Sequence, residues 1–368
     1  MKSKLLACIV VASLIMTMAV GCTTKTTSTT TTTTTVSTTP QPATFVFTDS
    51  LGRKVTVPTN ITKVALSGPL AQIVLFAICP DKIVGVSSKW DASAAQFLDP
   101  KYYNLPNLGQ LYGGSGTLNL EQIAATGAQI VIDVGEIKAN MTTDLDNLQK
   151  QLGIPVVHID GYTATMGNCY RMLGDLLGMQ KEAAVLAQYC DKIYADTLSI
   201  SNRVGASGKA NLLYVVGTTG LNVIAKGSYH AEVIDLLSNN LAVINNPSSS
   251  GNGNPVTLEQ IMLWNPSVII FSSGSIYSTV GTNKDWATID AIKNGKYYEA
   301  PYGPYNWMGF PPSVQRYLGM VWMAQLLYPN VAQYDVYAKV SEYFKLFYHC
   351  NITQAQYNTL VANSLGKQ

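Results

Sequence analysis

Apolar positions lay out the plan of this chain before any motif does. In Gln180–Val204 they fall at Ala183, Ala187, Cys190, Tyr194 and Leu198, at steps of three and four, the period of a helix with one buried face. Lys181, Glu182, Asp191 and Lys192 sit near its ends and on its other side. At 1.5 Å per residue the stretch predicts a rod of roughly 36 Å. A pattern recurs on either side of it: LNLEQIAATGAQIVIDVG at 118–135 and VTLEQIMLWNPSVIIFSS at 256–273. Leu120-Glu121-Gln122-Ile123 overlays Leu258-Glu259-Gln260-Ile261, and the strand-like runs Ile130–Val134 and Val268–Ser272 then fall in register. The chain therefore predicts two similar halves joined by one long helix.

Within the first half, Phe45–Pro58 alternates around the turn Asp49-Ser50-Leu51-Gly52 and predicts a hairpin. Strands are predicted at Lys63–Leu66, Ile83–Ser87, Ile130–Asp133 and Val156–Asp160, alternating with helices, which argues for a parallel sheet covered by helices. The second half restarts with strands at Asn211–Val216 and Val223–Ala225, a helix at Tyr229–Leu237, the second LEQI helix and the strand Val268–Ser272. A long closing region runs from Tyr297 into helices ending near Leu365.

The start of the chain reads differently. Lys2 and Lys4 precede an apolar run, Leu5–Val20, which is short for a membrane span and closes on Ala19-Val20-Gly21-Cys22. Residues 1–22 are thus expected to be an export signal, and its small-small-Cys ending resembles a lipobox, which implies Cys22 as a lipid anchor on the extracytoplasmic face of the membrane. Residues 23–44 are mostly threonine and are expected to form a disordered tether. The expected divisions that follow are a first lobe at 45–179, the linking helix at 180–204 and a second lobe at 205–368.

Composition narrows the function. The chain has 368 residues, 12% of them charged, and a formal charge of +2, without the basic clusters of a nucleic-acid partner. Six cysteines show no C-x-x-C spacing, and His158, His230 and His349 are scattered, so no bare-metal site and no resident cofactor is expected. His230 has two readings, a surface-helix histidine or an axial donor should the ligand be haem. G-x-S-x-G, H-E-x-x-H and Walker patterns are all lacking, so an enzyme is not expected.

The opening Asp49-Ser50-Leu51-Gly52-Arg53, the paired LEQI segments, Leu152-Gly153-Ile154-Pro155-Val156 and the closing Pro311-Pro312-Ser313 and Leu327-Tyr328-Pro329 resemble, in order and spacing, the substrate-binding proteins of ABC importers for iron-siderophores, haem and cobalamin. The resemblance implies an α/β fold of two Rossmann-like lobes on one helix, a ligand cleft between them, modest closure, and a monomer working with separate permease and ATPase subunits. It also implies two permease-docking positions, which here fall on Gln72 and Glu232. An oxyanion such as molybdate or tungstate is an alternative ligand within the same group. A ligand-sensing surface lipoprotein is an alternative function.

Ligands of open α/β sheets bind beyond the carboxyl ends of the strands. That rule selects the loops at 67–69, 88–90, 112–114, 135–136, 217–219, 273–275 with Tyr277, and 302–310. From them Trp90, Tyr112, Thr218, Tyr277, Tyr302, Tyr305 and Trp307 are the candidate ligand contacts, with Arg316 as a bidentate partner for an anionic group. For Trp90 and Trp307 the competing reading is packing of a loop on its own lobe. Trp286 and Trp322 lie in helical patterns and are expected to be structural.

Overall fold

The computed structural model describes residues 43–113, 117–248 and 250–365; the expected signal, the Cys22 anchor and nearly all of the tether lie outside them. Strands β1 (Thr44–Thr48) and β2 (Lys54–Pro58) pair antiparallel from Thr44 opposite Pro58 to Thr48 opposite Lys54. The turn between them is built by Asp49, whose Oδ1 accepts the backbone N–H of Leu51 and of Arg53, both at 3.0 Å. Gly52 closes the turn at φ 77°, a left-handed conformation that suits glycine. Arg53 then reaches Asp49 at 2.8 Å and the carbonyl of Val156 at 2.6 Å, fastening the hairpin to the first sheet.

That sheet holds β3 (Val64–Leu66), β4 (Ile130–Gly135) and β5 (Val156–Asp160), all parallel in the order β3-β4-β5. Nearly every residue in them is buried, as expected of strands covered on both faces. The strand expected at Ile83–Ser87 is reduced to single bridges: Ile83 pairs with Val64, and Val86 has already turned away to pair with Asn107. The helix Pro69–Ile78 opens with proline at its first turn and buries every side chain from Ala71 to Ile78, so it is a core helix.

The repeat has a shared physical cause. Asn119 caps the helix Leu120–Thr126 by accepting from Gln122 N–H, and Thr257 caps Leu258–Trp264 by accepting from Gln260 N–H. Each helix ends in a left-handed residue, Gly127 or Asn265, and each is followed by a buried parallel strand, β4 in the first lobe and Val268–Phe271 in the second.

The linking helix spans Gln180–Gly208, with Gly205 departing from helical geometry at φ 67°, so the regular rod ends at Val204. It packs against the helix Met166–Leu177, where a Cβ on Gly174 would come within 2.5 Å of Ala183 Cβ. The second sheet is centred on β6 (Asn211–Val216), with β10 (Val268–Phe271) and β11 (Tyr297–Glu299) parallel on one side. Short antiparallel pieces β7 (Asn222–Val223) and β9 (Asn254–Pro255) extend it on the other, and β8 (Asn239–Asn240) pairs parallel with the start of β6.

Two lobes on one helix therefore stand as expected, with one difference in the closing region. The helix Val336–Phe347 belongs by sequence to the second half and packs there on the helix Arg316–Leu327, but it also packs on the first half. Phe344 meets Phe97 edge-on at 5.0 Å, Phe347 meets Tyr170 at 6.0 Å, and just beyond the helix His349 Nε2 lies 3.1 Å from the Phe76 carbonyl oxygen. Aromatic side chains on one face of this amphipathic helix thus cover the outside of Pro69–Ile78.

Candidate functional site

Loops leaving the carboxyl ends of both sheets face each other across a cleft made of two confluent cavities, of about 720 and 1050 Å³. The first runs from Ser67–Leu70 and Gly135–Lys138 of the first lobe to Tyr229, His230 and Gly251 of the second. The second lies between Ser88, Lys89 and Asp91 on one side and Gly217–Thr219, Ser272–Gly274 and Tyr302–Asn306 on the other. Ser88, Gly251, Tyr305, Phe310 and Pro311 line both, so one groove is continuous.

Four of the expected contacts meet there. Tyr112 and Tyr305 line the first cavity, and Thr218, Tyr302 and Tyr305 the second. Burial raises the phenols of Tyr112, Tyr302 and Tyr305 above the ordinary tyrosine value, so each is a neutral hydroxyl at neutral pH. Trp90 sits one layer behind the wall. Its ring packs on Phe76 at 5.2 Å and on Tyr305 at 5.6 Å, supporting the tyrosine from below.

Other expectations are corrected. Trp307 is 0% exposed and turned into its own lobe, its indole N–H donating to the Gly303 carbonyl at 3.2 Å. Tyr277 lies away from the cleft, its ring 6.4 Å from Phe271 and 5.9 Å from Tyr297. Gln72, expected at a docking surface, is 0% exposed: its Oε1 accepts from Ser87 N–H at 2.8 Å, and its Nε2 donates to Tyr305 Oη at 2.9 Å. The amide that replaces a carboxylate here is an internal cross-link between Ser87 and the cleft tyrosine.

Arg316 is 0% exposed as well, which removes it from any anion in the groove. Its guanidinium forms an ion pair with Glu232 at 2.6 Å, donates to the Tyr229 carbonyl at 2.8 Å and to the Gly161 carbonyl at 3.3 Å, and lies 4.6 Å above the Tyr229 ring. Glu232 also accepts from Thr163 N–H at 3.2 Å. Tyr229 Oη donates to Gly161 O at 2.7 Å and Tyr317 Oη to Thr163 O at 2.6 Å. Side chains of the second lobe thus grip the first-lobe loop 161–163 directly behind the cleft. Glu232, expected to dock on a permease, forms this ion pair while 22% of its side chain stays exposed.

The floor of the first cavity carries a polar chain. Ser67 Oγ donates to Asp133, whose Oδ2 is 2.6 Å from His158 Nδ1, and His158 Nε2 is 3.3 Å from Asp160 Oδ1. His158 is fully buried, so the two carboxylates fix its ring and it in turn fixes Asp133 beneath the groove. Nearby Glu136 and Lys138 neutralise each other at 2.6 Å. Among the described residues no three His, Cys, Asp or Glu side chains come together as a metal site. Sequence reasoning missed the lining loop that carries Ser248, Ser250 and Gly251; of the two readings of His230, the structure puts the residue in the wall of the first cavity. The Ser/Asn/Gly-rich run 245–253 was the available signal for that loop, although its chain neighbours gave no sheet end to attach it to.

Comparison with known proteins agrees with this architecture. A family model described as periplasmic binding protein matches residues 64–302. A curated relative, the molybdate-binding protein MolA of Haemophilus influenzae, is 24% identical over 330 residues, covering 82% of this chain and 90% of its own. Among solved structures, an ABC transporter solute binding protein from Sulfurospirillum deleyianum superposes with a TM-score of 0.79 at 26% identity, covering 86% of this chain and 99% of its own. A periplasmic solute binding protein from Veillonella parvula gives a TM-score of 0.72 at 26% identity, covering 87% and 97%. Two lobes on a single helical rod, a groove between them and a family match across both lobes lead to one conclusion: this chain belongs to the periplasmic binding proteins, non-enzymatic solute carriers that deliver ligands to the permease and ATPase subunits of ABC transporters.

Proposed function

We propose that the chain captures a bulky metal chelate, an iron-siderophore, haem or corrinoid, and hands it to an importer while held to the extracytoplasmic face of the membrane by a lipid on Cys22. The observation that carries the chelate reading is the continuous groove. Its two cavities give room for a large ligand, and its walls offer Tyr112, Tyr302, Tyr305, Phe310 and Pro311 beside small hydroxyls. Arg316, the one arginine expected to face an anion, is engaged by Glu232, and Lys138 by Glu136, which leaves Lys89, in the wall of the second cavity, as the lining cation without an ion pair among the described residues. A weakly charged ligand with flat apolar surface matches such walls better than a small dianion does.

A second reading has a specific support. The curated relative MolA is named for molybdate, and oxyanion capture through hydroxyls and backbone N–H groups of the same groove is the alternative. The deciding experiment is a thermal-shift and fluorescence titration with a ferric siderophore, haemin, cobalamin, molybdate and tungstate. The expected outcome is stabilisation by a chelate, about 2.7 kcal/mol at a hundredfold excess over Kd. Stabilisation by molybdate or tungstate alone would replace the chelate reading with the oxyanion one.

A further inference from the structure

Gln72 lies in the first turns of the helix Pro69–Ile78, behind the wall where the two cavities join, and is fully buried. Three donors of the first lobe converge on its Oε1: Ser87 N–H at 2.8 Å, Ser87 Oγ at 2.9 Å and Ser88 N–H at 3.3 Å. Backbone N–H groups only donate, so the amide oxygen must face them and the amide nitrogen must face the other way. There it meets Tyr305 Oη of the second lobe at 2.9 Å. An amide nitrogen has no lone pair to offer, so the phenol is the acceptor in this bond. Its own O–H then has no acceptor among the described residues, and the ring that carries it lines both cavities.

The tyrosine is held at every point from which it could turn. Its ring lies 5.6 Å from that of Trp90, which rests on Phe76, and its carbonyl accepts from Gly303 N–H at 3.0 Å. The next residue, Asn306, is buried and its Oδ1 accepts from Met308 N–H at 2.8 Å and from Tyr214 Oη at 3.2 Å, which fixes the loop. Burial raises the Tyr305 phenol above its ordinary pKa, so the proton stays on the oxygen at neutral pH. The other two tyrosines of the first cavity commit their protons inside the chain, Tyr229 Oη to the Gly161 carbonyl at 2.7 Å and Tyr112 Oη to Asp144 at 3.3 Å. Tyr305 is the tyrosine there whose O–H is left for an occupant of the groove.

We propose that Gln72 is a positioning residue of the groove: by donating to Tyr305 Oη from the opposite lobe it sets the direction of that tyrosine's hydrogen bond, so that the groove favours ligands bringing an acceptor oxygen to the junction of the two cavities. The inference rests on the groove as the capture site. The acceptor is a carbonyl, phenolate or carboxylate oxygen of a chelate, and an oxyanion oxygen is the other source of the same chemistry. A carboxylate at position 72 would take the same Ser87 and Ser88 donors, but it would also take the Tyr305 proton and turn it into the wall. Either side chain holds the ring in place; the amide alone leaves the proton to the groove.

The test uses the full chain, isotope-labelled at tyrosine Cζ for NMR, unsubstituted and with Gln72→Glu, Tyr305→Phe and both changes together. The Tyr305 resonance is the one lost in Tyr305→Phe. In Gln72→Glu it is expected to move downfield, as the carbon of a phenol that donates to a carboxylate does; a resonance that stays in place overturns the proposal. The same proteins are titrated with a ferric catecholate complex and with molybdate. Gln72→Glu and Tyr305→Phe should each weaken the probe that binds about tenfold. The double variant should bind no more weakly than Tyr305→Phe, because Gln72 acts through the hydroxyl. A further loss in the double variant, or full-strength binding by Gln72→Glu, overturns the proposal. Should Gln72→Glu fail to fold, Gln72→Met takes its place in the cycle, and a loss as large in the Tyr305→Phe background as in the unsubstituted chain overturns it. Molybdate bound and weakened in this pattern, with the ferric complex unbound, overturns the chelate reading and supports this one. Neither probe bound by the unsubstituted chain overturns both.

Discussion

Cutting a tryptophan with zero exposure back to alanine removes a large side chain from a packed interior, and such changes cost about 3–5 kcal/mol. Trp307 is in that position, its indole N–H already bonded to Gly303. Trp307→Ala is expected to lower the urea unfolding midpoint by a corresponding amount, with the loss of ligand binding following unfolding and not preceding it. A variant of unchanged stability but weakened binding would return Trp307 to the groove. His230 shows the opposite placement, a residue at a helix start whose Nδ1 bonds to the Gly309 carbonyl and which lines the first cavity. Neither outcome is written in the residue type. Loop positions lack the periodicity that tells inward from outward, so an aromatic run such as Tyr302–Phe310 announces a site without saying which ring faces it.

At the scale of elements, the grip of Arg316, Glu232, Tyr229 and Tyr317 on loop 161–163 is the main polar connection behind the groove. Removing one partner of a buried ion pair strands the other, at a cost of about 3–5 kcal/mol. Arg316→Met is expected to destabilise the protein by that order, less whatever Glu232 recovers through its partial exposure. Amide hydrogen exchange should lose protection first at residues 161–163 and 229–232; an even loss over the whole chain would deny the grip a local role. The LEQI repeat and the linking helix were legible in the sequence because each is local: a cap, a period and a glycine or asparagine stop lie within a few residues of one another. The ion pair was not legible. It joins side chains far apart in the chain, and Arg316 read alone looks like a free cation near an aromatic loop.

For the whole molecule, the anchor proposed at Cys22 predicts that Cys22→Ala releases the chain from membranes while its ligand affinity is unchanged, as checked by fractionation and titration of the released protein. Retention in the membrane would refute the anchor. Among the described residues no helix is long and apolar enough to cross a membrane. The two lobes and the rod were legible in the sequence, whereas the packing of Val336–Phe347 across both halves was not, because hydrophobic period reveals that a helix has a buried face and not whose surface that face covers.

The placement of Val336–Phe347 against Pro69–Ile78 has a bearing on how the molecule is made. During synthesis the first lobe emerges early, but its outermost layer is encoded near the end of the message. The face of the early half that this helix covers gains that cover only when the last few dozen residues arrive. The two halves are therefore joined twice, by the rod between them and by this closing helix, and the chain closes on itself like a clasped belt.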